Sequence, residues 1–240
     1  MSTGPLPVAA AAPAGPDTTV VEQHDDQGRL AMRAEMKGGV LDGRLTQYGP
    51  GGKPTLDAGY HGGKLHGAVR MFDETGQLVQ DANYKDGVQH GITRIYAQGR
   101  LLSEQHFATG QPHGEAVFYS DAGLPSCKMQ FRAGQIEGEA LFFSDGDVVR
   151  RARYRKGLLE GESIDYDREG TKVQSANYKA NQLDGWLRRY WPNGKVMEEQ
   201  QYRQGKPAGR PRRYNARGAK QEESHGASLM ERLEKLVRGS

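Results

Sequence analysis

Apolar and polar residues alternate in short runs along most of this chain, and each run ends on an aromatic followed by a glycine-rich break. The segment from Gln77 to Tyr84 carries Leu78, Val79 and Ala82 among polar residues and closes on Tyr84. Lys85 to Gly91 is rich in turn formers, Ile92 to Tyr96 closes on a second aromatic, and Ala97-Gln98-Gly99 turns the chain again. Two short β-branched and aromatic runs, each closed by a glycine turn, predict the two strands of a hairpin. The pattern returns eight times. Its second glycine is Gly43, Gly67, Gly91, Gly114, Gly138, Gly161, Gly185 and Gly209, at spacings of 23 or 24 residues. A fixed period of this size marks a stack of like supersecondary units.

Within the units the first strand closes on Tyr60, Tyr84, Phe107, Phe131, Tyr154, Tyr178 or Tyr202, with Met36 in the opening unit. Side chains two residues apart share a face of a strand. The residues two before those aromatics are mostly small (Ala34, Ala58, Ala82, Ala152 and Ala176, with Gln105, Met129 and Gln200), whereas the residues one before are mostly polar. One face is therefore expected to be buried or half-buried and the other wet. The second strand closes on its own aromatics, Tyr48, Phe72, Tyr96, Tyr119, Phe143, Tyr166, Tyr190 and Tyr214. The prediction is an all-β fold, an elongated, curved antiparallel meander of about eight repeated β-hairpins. Roughly sixteen strands at about 4.8 Å would extend it some 70 Å.

Three segments follow. Residues 1–26 read as a flexible Ala/Pro-rich leader, residues 27–219 as one eight-unit repeat domain, and residues 220–240 as a tail. In the tail, Ser228 followed by Glu231 is a capping-box signature. Leu229, Leu233, Leu236 and Val237 recur on one helical face, which predicts a short amphipathic helix from Ser228 to Arg238. Either it caps the last unit, whose strand edge would otherwise stand open, or it docks a partner.

Composition narrows the picture. Hydrophobic residues make up 35% of the chain and glycines number 33, which suits a thin sheet better than a thick core. A net charge of +3 does not predict nucleic-acid binding, and none is expected. No run approaches the roughly 18 consecutive apolar residues of a membrane span. The leader lacks the basic start and apolar run of a secretory signal. The expected compartment is the cytoplasm as the sequence stands, or the periplasm if an export signal has been trimmed away. One cysteine, Cys127, excludes an intramolecular disulfide. Four residues before Phe131, it is expected to be a small buried thiol on the aromatic face.

Candidate chemistry is thin. His66, His90 and His113 occupy equivalent positions in successive units, roughly 10 Å apart at two strand spacings. That is too far to share one ion with bonds near 2 Å, so a turn role is expected and no metal site. Serines, histidines and carboxylates scatter over equivalent positions, whereas a catalytic centre needs one converging set. No enzyme, no catalytic residues and no cofactor are expected. Charge is what breaks the symmetry. Glu115, Glu139 and Glu162 follow the second glycine in three successive units, and Arg188, Arg189, Arg203, Lys206, Arg210, Arg212, Arg213 and Arg217 crowd the last two. Solvated edges would explain this, and so would complementarity to a protein partner. The partner-binding candidates are Glu115, Glu139, Glu162, Tyr119, Phe143, Arg153, Tyr166, Arg188 and Tyr190. Arg189, Arg210, Arg212 and Arg213 form a basic end able to meet anionic lipid, with Trp186 and Trp191 either as interfacial anchors or as aromatics of the repeat.

The phrases from Tyr60 to Gly67, Tyr84 to Gly91 and Phe107 to Gly114 resemble the MORN repeat, which reads Tyr-x-Gly and then, after a few residues, His-Gly. The period and the turn at Asn193-Gly194-Lys195 look more like the variant found in YwqK-type antitoxin proteins. In five units Asp42, Glu137, Glu160, Asp184 and Ala208 replace the histidine, and in the seventh Asn181 replaces the first glycine. The resemblance implies a non-enzymatic immunity or antitoxin protein of bacterial type. Its partner would be a protein toxin, a lipase-type effector of a type VI secretion system. The alternative it implies is a scaffold binding anionic phospholipid, so that membrane contact is secondary.

Overall fold

The computed structural model describes residues 17–221, all of them in strands, turns and connecting backbone, with no helix among them. The chain divides into two compact units between Leu158 and Leu159. The first holds β1 (Thr18–His24), β2 (Leu30–Lys37), β3 (Val40–Tyr48), β4 (Pro54–His61), β5 (Lys64–Phe72), β6 (Leu78–Lys85) and β7 (Val88–Gln89). It continues with β8 (Gly91–Ala97), β9 (Arg100–Ala108), β10 (Gln111–Tyr119), β11 (Pro125–Arg132), β12 (Gln135–Ile136), β13 (Gly138–Ser144) and β14 (Asp147–Arg155). At the division lies β15 (Leu158–Leu159). The second unit holds β16 (Gly161–Tyr166), β17 (Lys172–Lys179), β18 (Gln182–Tyr190), β19 (Val196–Arg203), β20 (Lys206–Pro207) and β21 (Arg212–Arg213). Each unit is an antiparallel meander in which a strand pairs with the next along the chain. Seven of the eight predicted hairpin pairs lie whole within one unit, and the second strand is split in four of the eight repeats.

Two differences from the sequence expectation have clear causes. Thr18–His24, which falls in the predicted leader, is a strand paired with Leu30–Lys37; it precedes the first aromatic-glycine phrase, so periodicity could not mark it. The second glycine of each phrase is not in a turn. It lies within or at the start of a strand in the first seven phrases, and between β20 and β21 in the eighth. Its φ is always positive, between +84° and +120°, where the ladder to the preceding strand slips register, as between Ala58 and Tyr60. This is a bulge of the glycine kind, in which a positive-φ residue is skipped by the ladder to the preceding strand while it stays paired with the following one, as Gly67 with Tyr84. The helix predicted from Ser228 to Arg238 lies outside the described residues.

The first glycine belongs to a two-residue turn with positive φ at both positions, the mirror-type turn whose twist matches a hairpin. Asn181 supplies it in the seventh unit at φ +67°, after Ala180 at +48°. Lys156, Thr109 and Gln204 are likewise held left-handed, at a cost of about 1–2 kcal/mol each. A second set of contacts offsets this cost. The amide of the second turn residue donates to the carbonyl two before the preceding bulge glycine, as Gly63 N to Leu41 O (2.8 Å), Gly157 N to Ile136 O (2.8 Å) and Asn181 N to Leu159 O (3.0 Å). Successive turns are thereby stitched together along one edge of each unit.

Burial follows the small row. Ala58, Ala82, Ala116, Ala140 and Ala152 in the first unit and Ala176 in the second are at most 3% exposed. They alternate across the ladder with larger residues: Leu45 opposes Ala34 and Ala58, and Val69 opposes Ala58 and Ala82. The closing aromatics on that face are half-buried, and no large side chain among the described residues is fully buried. In the second unit buried Gln200 takes the alanine's place and donates its amide to Gln201 O and Gly209 O. A buried polar group is tolerated when it is bonded in this way. Cys127 is buried as its spacing predicts, and burial raises the pKa of its thiol.

Candidate functional site

The face opposite the alanines carries the charge. In the first unit the ladder register places Glu22, Arg33, Thr46, Asp57, Arg70, Asp81, Arg94 and Glu104 in one cross-strand row. The signs largely alternate, and neighbours pair: Arg70 Nε to Asp81 at 3.5 Å, Arg94 Nε to Glu104 at 2.7 Å, with Arg44 reaching Asp57 from beside the row at 2.5 Å. The hydrogen bonds that Arg44 donates to Asp57 and Arg94 to Glu104 push both guanidiniums above the ordinary arginine range. Opposite charges directly across a ladder each stabilise it by roughly 0.2–1 kcal/mol, so this row is a clamp on the sheet. A ligand would have to break its pairs to use it.

The residues that follow the bulge glycines share the charged face with the second-strand aromatics by strand alternation. In the first unit these include Glu115, Tyr119, Glu139 and Phe143, with Arg153 directly across from Glu139. Glu139 also lies 3.3 Å from Arg151 Nε. In the second unit Glu162 lies 3.3 Å from Lys172 Nζ. Two of the three acids read as a like-charge ladder are thus compensated within their own strand pair, while Glu115 is exposed. Tyr119 and Phe143 in the first unit and Tyr166 and Tyr190 in the second are half-buried, and Arg153 is exposed.

The second unit concentrates more chemistry. Tyr190 Oη and Ser175 Oγ are 2.9 Å apart, and Lys172 Nζ lies 4.7 Å from the Tyr190 ring centre. Glu199 gathers Arg188 Nε at 3.1 Å, Arg212 Nη1 at 3.6 Å and the Tyr214 hydroxyl at 2.9 Å. Burial pushes its carboxyl up, but Tyr214, Arg188 and Arg212 outweigh this and hold it below the usual range. The same two guanidiniums lie 5.3 and 5.4 Å from the Trp186 ring centre, within cation–π reach. Trp186 therefore belongs to a charged cluster and not to the aromatic repeat positions. Trp191 sits in the loop after β18, its indole N–H donating to Tyr214 O.

The basic end does not gather on one face. Arg212 and Arg213 are neighbours in one strand and point to opposite sides; they reach Glu199 and Glu198 respectively. Arg189 is exposed across the ladder from Glu198, and Arg210 is exposed beside the bulge. His66, His90 and His113 are exposed, and His66 Nδ1 lies 3.4 Å from Asp86. The carboxylates in the histidine's place act on the turns. Asp42 accepts from Gly62 N, Glu137 from Lys156 N, Glu160 from Ala180 N and Asp184 from Gln204 N, each at 2.8–3.2 Å. Each thus bonds the turn of the following repeat. Their position before the bulge glycine was the available signal.

No curated protein matches the chain. Among solved structures it is similar to the crystal structure of TcdB2-TccC3, with 11% identity and a TM-score of 0.18. That likeness covers 82% of this chain and only 13% of the other. The model of the MORN repeat variant matches residues 65–86 and 183–204. Each match runs from a second strand to the next mirror-type turn, and at these two places the chain carries MORN-variant repeats.

Proposed function

We propose that this protein is a non-enzymatic immunity or antitoxin protein that neutralises a cognate toxin by covering its active site or substrate path. MORN repeats imply a repeat-based binding scaffold, and the toxin is the finer reading. The observation carrying it is the charged face. On that face of each unit, half-buried aromatics (Tyr119 and Phe143 in the first unit, and separately Tyr166 and Tyr190 in the second) stand among basic side chains and carboxylates already fixed by their pairs. Aromatic and arginine side chains held in place bind with little loss of freedom and dominate protein interfaces. Occlusion of this kind needs roughly 1,200–2,000 Å² of total contact.

The test is co-expression with the product of each gene adjacent to this one, followed by titration of any purified pair. A stoichiometric complex that abolishes toxin activity is expected. Changing Glu115, Glu139 and Glu162 together to Lys is expected to weaken it; unchanged affinity would remove the acids from the interface. A lipase-type effector is the expected toxin. A membrane scaffold is the second reading, favoured by the charge of residues 159–221: thirteen Lys and Arg against eight Asp and Glu, a surplus of five. Salt-sensitive flotation with anionic liposomes in the absence of any protein partner would support it.

A further inference from the structure

Trp186 breaks the repeat where it bears on binding. The residue after the bulge glycine is Arg44, Ala68, Ile92, Glu115, Glu139, Glu162 and Arg210 in the other units, and tryptophan only here. In a stack of like units, packing asks the same of each position, so a lone large aromatic on the polar face has no counterpart in the fold's own requirements. It is also held. Arg188 and Arg212 lie 5.3 and 5.4 Å from the ring centre, and both are tied to Glu199, whose side chain is 12% exposed. Tyr214 donates to the same carboxylate at 2.9 Å. The ring remains half-buried.

Charge indicates the counterpart. Residues 17–158 carry seventeen basic and eighteen acidic side chains, whereas residues 159–221 carry the surplus of five positive charges. At the Trp186 ring stand two guanidiniums, Arg188 and Arg212, which share the one carboxylate of Glu199. Basic side chains beside a rigid aromatic are what a carboxylate-bearing protein surface meets best: the acids approach the guanidiniums while an apolar group covers the ring. The geometry points to Trp186, flanked by Arg188 and Arg212, as the anchor of a docking surface for an acidic protein segment. This rests on the protein-binding function above and names the chemistry of the partner's contact patch.

The chain holds two tryptophans, so Trp191→Phe leaves Trp186 as the sole emitter in the full-length protein. Fluorescein-labelled poly-L-glutamate is the probe, followed by Trp186 emission and by anisotropy at about 50 mM salt. Binding is expected to shift the emission and to weaken steeply toward 300 mM salt. Trp186→Ala is expected to lower affinity about tenfold or more, with partial recovery in Trp186→Phe. The double variant Lys195→Gln/Arg217→Gln removes two charges at the loop edge of the same unit and is expected to cost less than Trp186→Ala. Equal affinity for Trp186→Ala and the parent would overturn the assignment, as would binding to phosphatidylglycerol vesicles with none to poly-L-glutamate. If the toxin complex forms with undiminished affinity in Trp186→Ala, the anchor is wrong and the immunity function stands. If no toxin complex forms with the parent protein, that function fails independently of Trp186.

Discussion

Replacing Glu199 by Gln keeps the side chain's shape and leaves an oxygen for the Tyr214 hydroxyl, but removes the charge that Arg188 and Arg212 share. A hydrogen bond to a charged group contributes roughly 1.5–3 kcal/mol when sheltered. Arg188 is about one-third exposed and Arg212 about half, and solvent screening reduces the gain accordingly. The expected loss is about 1–2 kcal/mol at pH 7. For a chain of this size that corresponds to a midpoint roughly 2–8 °C lower, read in the second unit, where both tryptophans report. The sign of the pH dependence follows from the lowered carboxyl. A carboxylate whose folded pKa is depressed contributes stability above its unfolded value, near about 4.3, and loses it as pH falls through the folded one. The gap between parent and Glu199→Gln is therefore full at pH 7 and closes toward pH 3. Urea titrations followed by tryptophan emission at both ends of that range measure it. A gap of constant size, or none at pH 7, would refute the account of Glu199 as the holder of the Trp186 cluster.

Further outcomes follow from the turns and the core. Asn181→Ala forces alanine to φ +67° and removes the bond from Leu159 N to Asn181 Oδ1; a loss of about 1–2 kcal/mol is expected, with Asn181→Gly milder, by urea unfolding. Glu137→Ala removes the acceptor for Lys156 N and is expected to cost about 0.5–1.5 kcal/mol. Glu137→Gln, which keeps an acceptor oxygen, should cost less by the same measurement. Cys127, buried and with its thiol pushed up, should react with a disulfide reagent at neutral pH many times more slowly in native protein than in urea, followed at 412 nm or by mass.

Strand identity was legible because the aromatic-glycine phrase recurs and the alanine row keeps step with it. Ala58, Ala82, Ala152 and Ala176 lie where spacing placed them. The two glycines of the phrase were harder to tell apart, since a turn and a bulge both demand positive φ. Only pairing shows that Gly62 and Gly63 turn the chain while Gly67 interrupts a ladder. Thr18–His24 carries no phrase and so gave no periodic signal. The row from Glu22 to Glu104 was hidden for another reason. Its members lie 10 to 13 residues apart and meet only through the hydrogen-bond register. Trp186 was visible as a tryptophan, but its two guanidiniums and their common acid come from three different strands.

The stitching of each turn to the repeat before it has a bearing on how such a chain can lengthen or shorten. A duplication or loss of one whole module restores every donor to an acceptor of the same kind. A change of a single residue within a strand would swap its two faces and strand the carboxylates of Asp42, Glu137, Glu160 or Asp184 away from the amides they serve. Viable descendants of this sequence should differ in module number by integers, so the length of each stitched run of turns can only change stepwise.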